Sequence, residues 1–280
     1  MNWRSPLIEK MVISALEEDI WTGDVTSMSI IPPDKQAKGR IWTKVDGVMA
    51  GLPLLPLVFA HAGGGVQVDL LAEDGQAVTA GTTLAEISGS ARTILMGERV
   101  ALNFLQHLSA VASRVSRLAE LIKFYTSVIV DTRKTIPGLR LLQKYAVRMG
   151  GGANHRFGLY DAVLIKDNHI AVAGGIKEAV TAARRHLGHT VKIEVEVETL
   201  EQVATALESH ADIIMLDNMN PDLMKQAIDL VDGKALTEAS GRVTEENIVQ
   251  IAKTGVDFIS IGAITHSVQA LDISLDIEIS

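Results

Sequence analysis

The second half of the chain alternates between short apolar runs and amphipathic stretches. Apolar, β-rich runs lie at 128–130, 162–165, 191–197, 212–216, 235–237 and 258–261. Between most of them, apolar residues recur at helical spacing over 176–187, 200–209, 221–231 and 245–253. Strands alternating with helices of roughly 10 to 15 residues predict βαβ units on a parallel sheet. The repeat of about 20 to 30 residues suits an α/β barrel or a doubly wound sheet. Two helix starts carry capping chemistry. Asn220 precedes Pro221, which suits the first helical position, and Thr244 precedes Glu245 and Glu246, which predicts a helix beginning at 245.

The first half has a different rhythm. Residues 36–90 read as short strands joined by glycine turns. The piece 66–89 has the DGxxVxxGxxLxxI spacing of biotinyl and lipoyl folds but lacks their Met-Lys-Met hairpin, so it reads as a structural sheet. A long helical pattern follows from 91 to 125. The expected organisation is an N-terminal α/β domain over 1–112, joined by the returning segment 268–280, and an α/β barrel over 113–267.

The strand ends carry the chemistry. Arg133 and Lys134 follow the first barrel run; Lys166, Asp167 and His169 follow the second. Glu196 and Glu198 lie in or after the third, Asp217 and Asn218 follow the fourth, Glu238 and Ser240 the fifth, and Gly262 the last. In a parallel barrel these ends converge on one face, which holds the active site. Glu194, Glu196 and Glu198 share one strand face and Ile193, Val195 and Val197 the other, so an inward-pointing glutamate row needs cations or a metal.

Charge sharpens this. The chain has 280 residues and a formal net charge of −8, yet residues 131–170 hold seven Lys or Arg against three acids. A basic, glycine-rich island in an acidic protein is where a polyanionic small molecule would bind. Arg133, Lys134, Arg156 and Lys166, with His155 nearby, form a cationic set, and the glycines at 150–152 could turn bare N–H groups toward an anion. Glu196 and Asp217 form an anionic set suited to Mg²⁺. Together they fit a phosphate-bearing substrate with magnesium, or the stabilisation of a cationic centre in a transition state.

Other classes recede. The pI near 5.5 argues against general nucleic-acid binding. With no cysteine, disulfides, thiolate metal sites and a Cys nucleophile are excluded. Glu9, Glu17, Glu18 and Asp19 interrupt any signal-peptide run, and no stretch reaches the ~18 apolar residues of a membrane span. The expectation is a soluble, cytoplasmic protein.

The segments DTRKTIPGLR (131–140), YAVRMGGGANHRFGLYDAVLIKDNHI (145–170), IEVEVETL, IIMLDN, EASG and ISIGAITHS, in this order, resemble the quinolinate phosphoribosyltransferase family. EDIWTGDVTS (18–27) and GERVALNFLQHLSAVAS (97–113) extend the likeness over nearly the whole chain. The resemblance implies an N-terminal α/β sandwich joined to an open parallel α/β barrel. It implies an enzyme of NAD biosynthesis that makes nicotinate mononucleotide from quinolinate and phosphoribosyl diphosphate, releasing diphosphate and carbon dioxide, with Mg²⁺. It implies a homodimer, or a higher oligomer, in which Arg99 of one subunit completes the other's site. Quinolinate binding then maps to Arg133, Lys134, His155, Arg156 and Lys166. Glu196 and Asp217 map to the ribose and the magnesium diphosphate, and Ser240, Gly241 and Gly262 to the phosphate cradle. Catalytic roles are expected of Lys134, Lys166, Glu196 and Asp217.

One departure stands out. The family pattern EASGG reads EASGR here, with Arg242 at the second glycine. Arg242 either adds a cation to the phosphate or points away. Two alternatives remain open at this level. A nicotinate-using transferase would need fewer cations. A non-catalytic sensor could dispense with the two acids.

Overall fold

The computed structural model describes residues 1–278, and the chain divides into two compact units. The first comprises residues 1–116, 136–151 and the C-terminal segment from 267; the second comprises 117–135 and 152–266.

In the first unit, helices α1 (Pro6–Ile20) and α2 (Val25–Ile30) precede strand β1 (Gln36–Thr43). Asp24 caps α2, accepting the N–H groups of Thr26 and Ser27 at 3.0 Å each. Then come β2 (Gly47–Val48), helix α3 (Leu54–Ala62), β3 (Val66–Leu70), β4 (Ala77–Val78), β5 (Thr83–Ser90) and the long helix α4 (Ala91–Leu121). Helix α3 corrects the all-strand expectation for 36–90. Leu54, Leu55, Val58, Phe59 and Ala62 are buried along it. Pro56 falls in its first turn, where a missing N–H leaves no helix bond unmade.

The antiparallel sheet runs β12-β1-β5-β3, where β12 is Ile273–Glu278. The C-terminal segment thus pairs along β1, from Thr43 with Ile273 to Lys38 with Glu278. The last two residues of the 268–280 piece lie outside the described residues.

Helix α5 (Arg140–Met149) groups with this unit by its contacts, whereas the division expected from the sequence placed it with the barrel. The reason is side-chain pairing. Tyr145 Oη donates to Asp74 Oδ2 at 2.7 Å, Trp3 meets the Tyr145 ring edge-on, and Gln143 Nε2 lies 2.8 Å from His107 Nε2. Burial and the bond to Asp74 push the Tyr145 hydroxyl above the range in which it titrates in solution.

The second unit is the barrel. Its strands are β6 (Val128–Val130), β7 (Val163–Ile165), β8 (Ile193–Val197), β9 (Ile213–Asp217), β10 (Leu236–Ser240) and β11 (Phe258–Ser260). The helices between them are α6 (Asp167–Ala173), α7 (Ile176–His186), α8 (Leu200–Glu208), α9 (Pro221–Val231) and α10 (Ile248–Lys253), with α11 (Ala263–His266) after β11. The sheet is parallel in the order β6-β11-β10-β9-β8-β7. Strands β6 and β7 follow one another in the chain but are not paired, so the barrel is open between them. Of the basic island, residues 131–135 and 152–170 belong to this unit.

Capping explains several helix starts. Asn220 accepts from Leu223 N–H at 2.9 Å with Pro221 behind it, as its sequence predicts. Thr199 and Gln202 form a reciprocal box at α8. The start predicted at 245 lies later: α10 begins at Ile248. Thr244 N–H instead donates to Asn247 Oδ1 at 2.8 Å, which holds 245–247 as a turn. Among the described residues, no helix is long and apolar enough to cross a membrane.

Candidate functional site

Arg133, Lys134, Lys166, Glu196, Asp217, Ser240 and Gly262 all stand at or just past the C-terminal ends of the barrel strands, on one face of the second unit. His155 and Arg156 belong to the same unit; Ala153, two residues before His155, makes a parallel bridge with Val130. Arg99 is the exception, an exposed residue of α4 in the first unit.

Residues 154–158 are clamped by two acids. Buried Asp131 accepts Asn154 Nδ2 at 2.6 Å and the His155 N–H at 3.0 Å. Asp161 accepts the N–H groups of Phe157 and Gly158 at 2.6 and 2.9 Å. Arg156 is thereby held half-buried, with its guanidinium on the Ala162 carbonyl at 3.0 Å. Burial, and next the like charge of Arg133, pull Arg156 below the usual arginine range; Glu194 and Asp161 oppose this. Two guanidinium groups that repel one another at a barrel mouth form a site an anion would relieve.

His155 departs from the cationic set assigned to it. Its Nδ1 accepts the Arg156 N–H at 2.7 Å. A nitrogen that accepts carries no proton, so the network assigns the ring as neutral with the proton on Nε2. Nε2 lies 2.9 Å from Glu194 Oε2 and 3.7 Å from Glu238 Oε1. Both glutamates are buried, because strand β10 runs on to Ser240 and carries Glu238 inside the barrel instead of leaving it beyond the strand. The sequence placed Glu238 among the polar strand ends and Glu194 in the glutamate row, but assigned neither a role in the site. The alternation Glu194-Val195-Glu196 was the available signal, and it marked the face without saying which glutamate would be deepest. Glu198 lies past β8 and is exposed.

Glu196 and Lys166 form an ion pair at 2.7 Å between β8 and the end of β7. The neighbouring helix start is ordered by His169, whose Nδ1 accepts the Lys166 N–H at 3.0 Å. Asp217, the last residue of β9, accepts Asn218 Nδ2 at 2.6 Å. Asn218 N–H in turn donates to the Ser240 carbonyl at 2.9 Å, tying the acid to the loop after β10.

That loop explains its glycine. Gly241 has φ +97°, and a Cβ there would meet Asn218 Oδ1 at 2.2 Å. Arg242 also has positive φ, at 48°, which is why glycine suits the position; its side chain is exposed and its carbonyl accepts Asn247 Nδ2 at 2.9 Å. Gly262 has a steric role: a Cβ would lie 2.9 Å from Lys134 Cδ, so its absence leaves room for the lysine stem. Thr265 fixes the Lys134 backbone from the same side, its Oγ1 donating to the Lys134 carbonyl at 2.7 Å.

Glu196 and Asp217 offer oxygen ligands alone, which fits Mg²⁺ held by one or two carboxylates together with substrate phosphates. Among the described residues, His155, Glu194 and Glu238 are a triad close enough to hold a metal. The Nε2 proton on neutral His155 occupies the ligating lone pair, so the triad is a poor metal site as it stands. At the opposite mouth of the barrel a cavity of about 770 Å³ is lined by Arg184, Lys192 and Asp212, among others. Its charges are already paired: Asp212 takes Arg184 at 2.5 Å and Lys192 at 3.3 Å. Paired charges suit that end to a structural part, and the candidate site lies at the other.

Comparison with known proteins agrees with this geometry. Residues 24–109 match the family described as quinolinate phosphoribosyl transferase, N-terminal domain, and 111–276 match its C-terminal domain. A probable nicotinate-nucleotide pyrophosphorylase [carboxylating] of Bacillus subtilis is 45% identical over 273 residues, covering 98% of this chain and 94% of the relative. The chloroplastic enzyme of Arabidopsis thaliana is 43% identical over 97% of this chain and 83% of its own length. The solved nicotinate-nucleotide pyrophosphorylase of Francisella tularensis superposes with a TM-score of 0.93 at 43% identity, over 97% of this chain and 96% of that one. Matched by both domain models across nearly its whole length and 43–45% identical to these relatives, the chain belongs to the quinolinate phosphoribosyltransferase family.

Proposed function

We propose that the C-terminal mouth of the barrel is where this chain carries out its family's reaction: transfer of phosphoribosyl from phosphoribosyl diphosphate to quinolinate, with loss of carbon dioxide, giving nicotinate mononucleotide and diphosphate for NAD biosynthesis. The observation that carries this reading is the juxtaposition of Arg133 and Arg156, two like charges that oppose one another on the strand-end face that also carries Lys166.

Quinolinate is a dianion, and removing it from water is unfavourable unless cations replace its hydration. Arg133 and Arg156 supply planar forks for its carboxylates. Lys134 and Lys166 add point charges. Held this way, the ring nitrogen is directed at C1 of the ribose. Ser240, Gly241 and Gly262 form the cradle for the ribose 5-phosphate. Glu196 and Asp217 would hold Mg²⁺, which supplies charge neutralisation for the diphosphate. As the C1–O bond to diphosphate breaks, positive charge grows on the ribose, and the same two carboxylates face it. Glu196 is paired with Lys166 before substrates arrive, so an incoming carboxylate draws Lys166 toward itself and frees Glu196 for the ribose. After the nitrogen–C1 bond forms, the cationic ring accepts the electron pair left as the 2-carboxylate departs as carbon dioxide, and a protonated lysine would return a proton to that carbon.

Arg99 extends the proposal to a homodimer. It is exposed on α4, apart from the barrel residues in the chain's division, and is available to a neighbouring subunit. Substrates this highly charged do not cross membranes unaided, which keeps a cytoplasmic enzyme within the same proposal. The test is a diphosphate-release assay with phosphoribosyl diphosphate and magnesium, offering quinolinate and nicotinate separately. Turnover with quinolinate and evolution of carbon dioxide are expected. Turnover with nicotinate alone, or tight binding with no diphosphate release, would overturn the reading.

A further inference from the structure

Beneath the mouth lies a group of buried acids that the reaction itself does not use. Glu194 and Glu238 side chains are each 4% exposed, and both come within 4 Å of His155 Nε2. One oxygen of each, Glu194 Oε1 and Glu238 Oε1, is buried with no hydrogen-bond partner. Two ionised carboxylates facing one neutral imidazole would leave such oxygens uncompensated, a costly arrangement. A single proton on Glu238 removes one charge and supplies the missing donor.

We propose that Glu194 and Glu238 are positioning residues that hold His155 neutral, with its Nε2–H directed at the carboxylate pair, so that Nδ1 fixes the backbone of Arg156 and thereby aims the Arg156 guanidinium at the substrate. The link is short. Glu194 accepts from Nε2, Nδ1 accepts from the Arg156 N–H, and Asp131 anchors the His155 N–H from the other side. If His155 carried a second proton, Nδ1 would become a donor facing another donor, and Arg156 would lose its support.

The groups facing Glu238 are consistent with the proton residing there. They are Glu194 on β8, His155 and Asp131 on the chain between β6 and β7, and Ser260 on β11. Burial first, and the Glu194 charge second, raise Glu238 to about 7, against the opposing hydrogen bond of Ser260. The metal alternative fails on the same atom, since a cation on Nε2 would have to displace its proton.

The substrate half of this inference rests on Arg156 acting as proposed above; the tautomer half does not. The experiment is therefore in two parts. In the ligand-free full-length protein labelled with ¹⁵N-histidine, the His155 ring should show a protonated Nε2 and a bare Nδ1 at pH 7. In kinetics, Glu238→Ala should raise the KM for quinolinate by about tenfold, the scale of one misplaced hydrogen-bonded group, with little change in the KM for phosphoribosyl diphosphate. Glu238→Gln, which keeps a neutral donor, should restore the parental KM. A doubly protonated His155 ring at pH 7, or loss of the Nε2–H signal on adding Zn²⁺ or Mn²⁺ alone, would overturn the proposal. So would a Gln variant as impaired as the Ala variant. If Glu238→Ala does not fold, the ring spectrum and the Gln variant still decide. A correct tautomer with no quinolinate turnover would count against the function, not against the positioning pair.

Discussion

Gly241 and Asn218 approach so closely that a methyl group on Gly241 would lie 2.2 Å from the Asn218 side-chain oxygen. Asn218 also touches Asp217 and the Ser240 carbonyl. The glycine therefore couples the acid on β9 to the loop after β10 that we assign to the phosphate.

Gly241→Ala meets this clash and a φ of +97° together. It is expected to lower stability by about 1–3 kcal/mol, and to reduce turnover beyond that loss because Asp217 shifts. Chemical denaturation gives the first, and the KM for phosphoribosyl diphosphate gives the second. A variant with parental stability would show that the loop opens freely.

Arg242→Gly tests the departure from the family pattern. A left-handed backbone at φ 48° disfavours arginine, but glycine gains disorder when unfolded, so stability is expected to change by less than about 1 kcal/mol. If Arg242 contributes its charge, the KM for phosphoribosyl diphosphate rises and becomes less sensitive to salt. An unchanged KM assigns the arginine to solvent.

Lys134→Ala and Arg156→Ala are each expected to lower activity by at least ~100-fold without unfolding the protein, as when a charge-stabilising group is lost. Gly262→Ala should reproduce part of the Lys134 defect, because the added methyl displaces the lysine stem 2.9 Å away. Near-normal turnover in either charge variant, with an unchanged melting curve, would remove that residue from the site.

Arg99 is tested by mixing. Neither Arg99→Ala nor Lys166→Ala is expected to turn over alone, and the mixed dimer should regain partial activity at the site that keeps Lys166 in one chain and Arg99 in the other. No recovery in a verified heterodimer would place Arg99 outside the neighbouring site.

Stability should also depend on pH through Glu238. Its folded value, about 7, lies above the 4.5 of an ordinary glutamate. Folding therefore favours the protonated form, and the stability it contributes is fully present below pH 4.5 and lost as pH rises through about 7. The melting temperature is expected to fall by several degrees between pH 5 and 8, roughly 2–4 °C for each kcal/mol lost. Glu238→Gln should flatten that slope. An equal slope in both proteins would assign the dependence to other groups.

The chain's own pattern determined the alternation of strands and helices in the barrel, the cap at Asn220, and the polar residues at the strand ends. Those are local properties: a period of two or of 3.6, a proline after an asparagine, a charge after an apolar run. The longest motifs also carried the family resemblance. Tertiary structure decided the rest. Helix α3 formed where strands were expected because its five apolar residues had a core to face, and α5 joined the first unit through Tyr145 and Gln143. Which glutamate of the 194–198 row would be buried, and that His155 would be neutral instead of cationic, depended on three segments far apart in the chain meeting inside the barrel. No one segment records that meeting, because the desolvation and the neighbouring charge that set a proton's place exist only once the strands have closed around it.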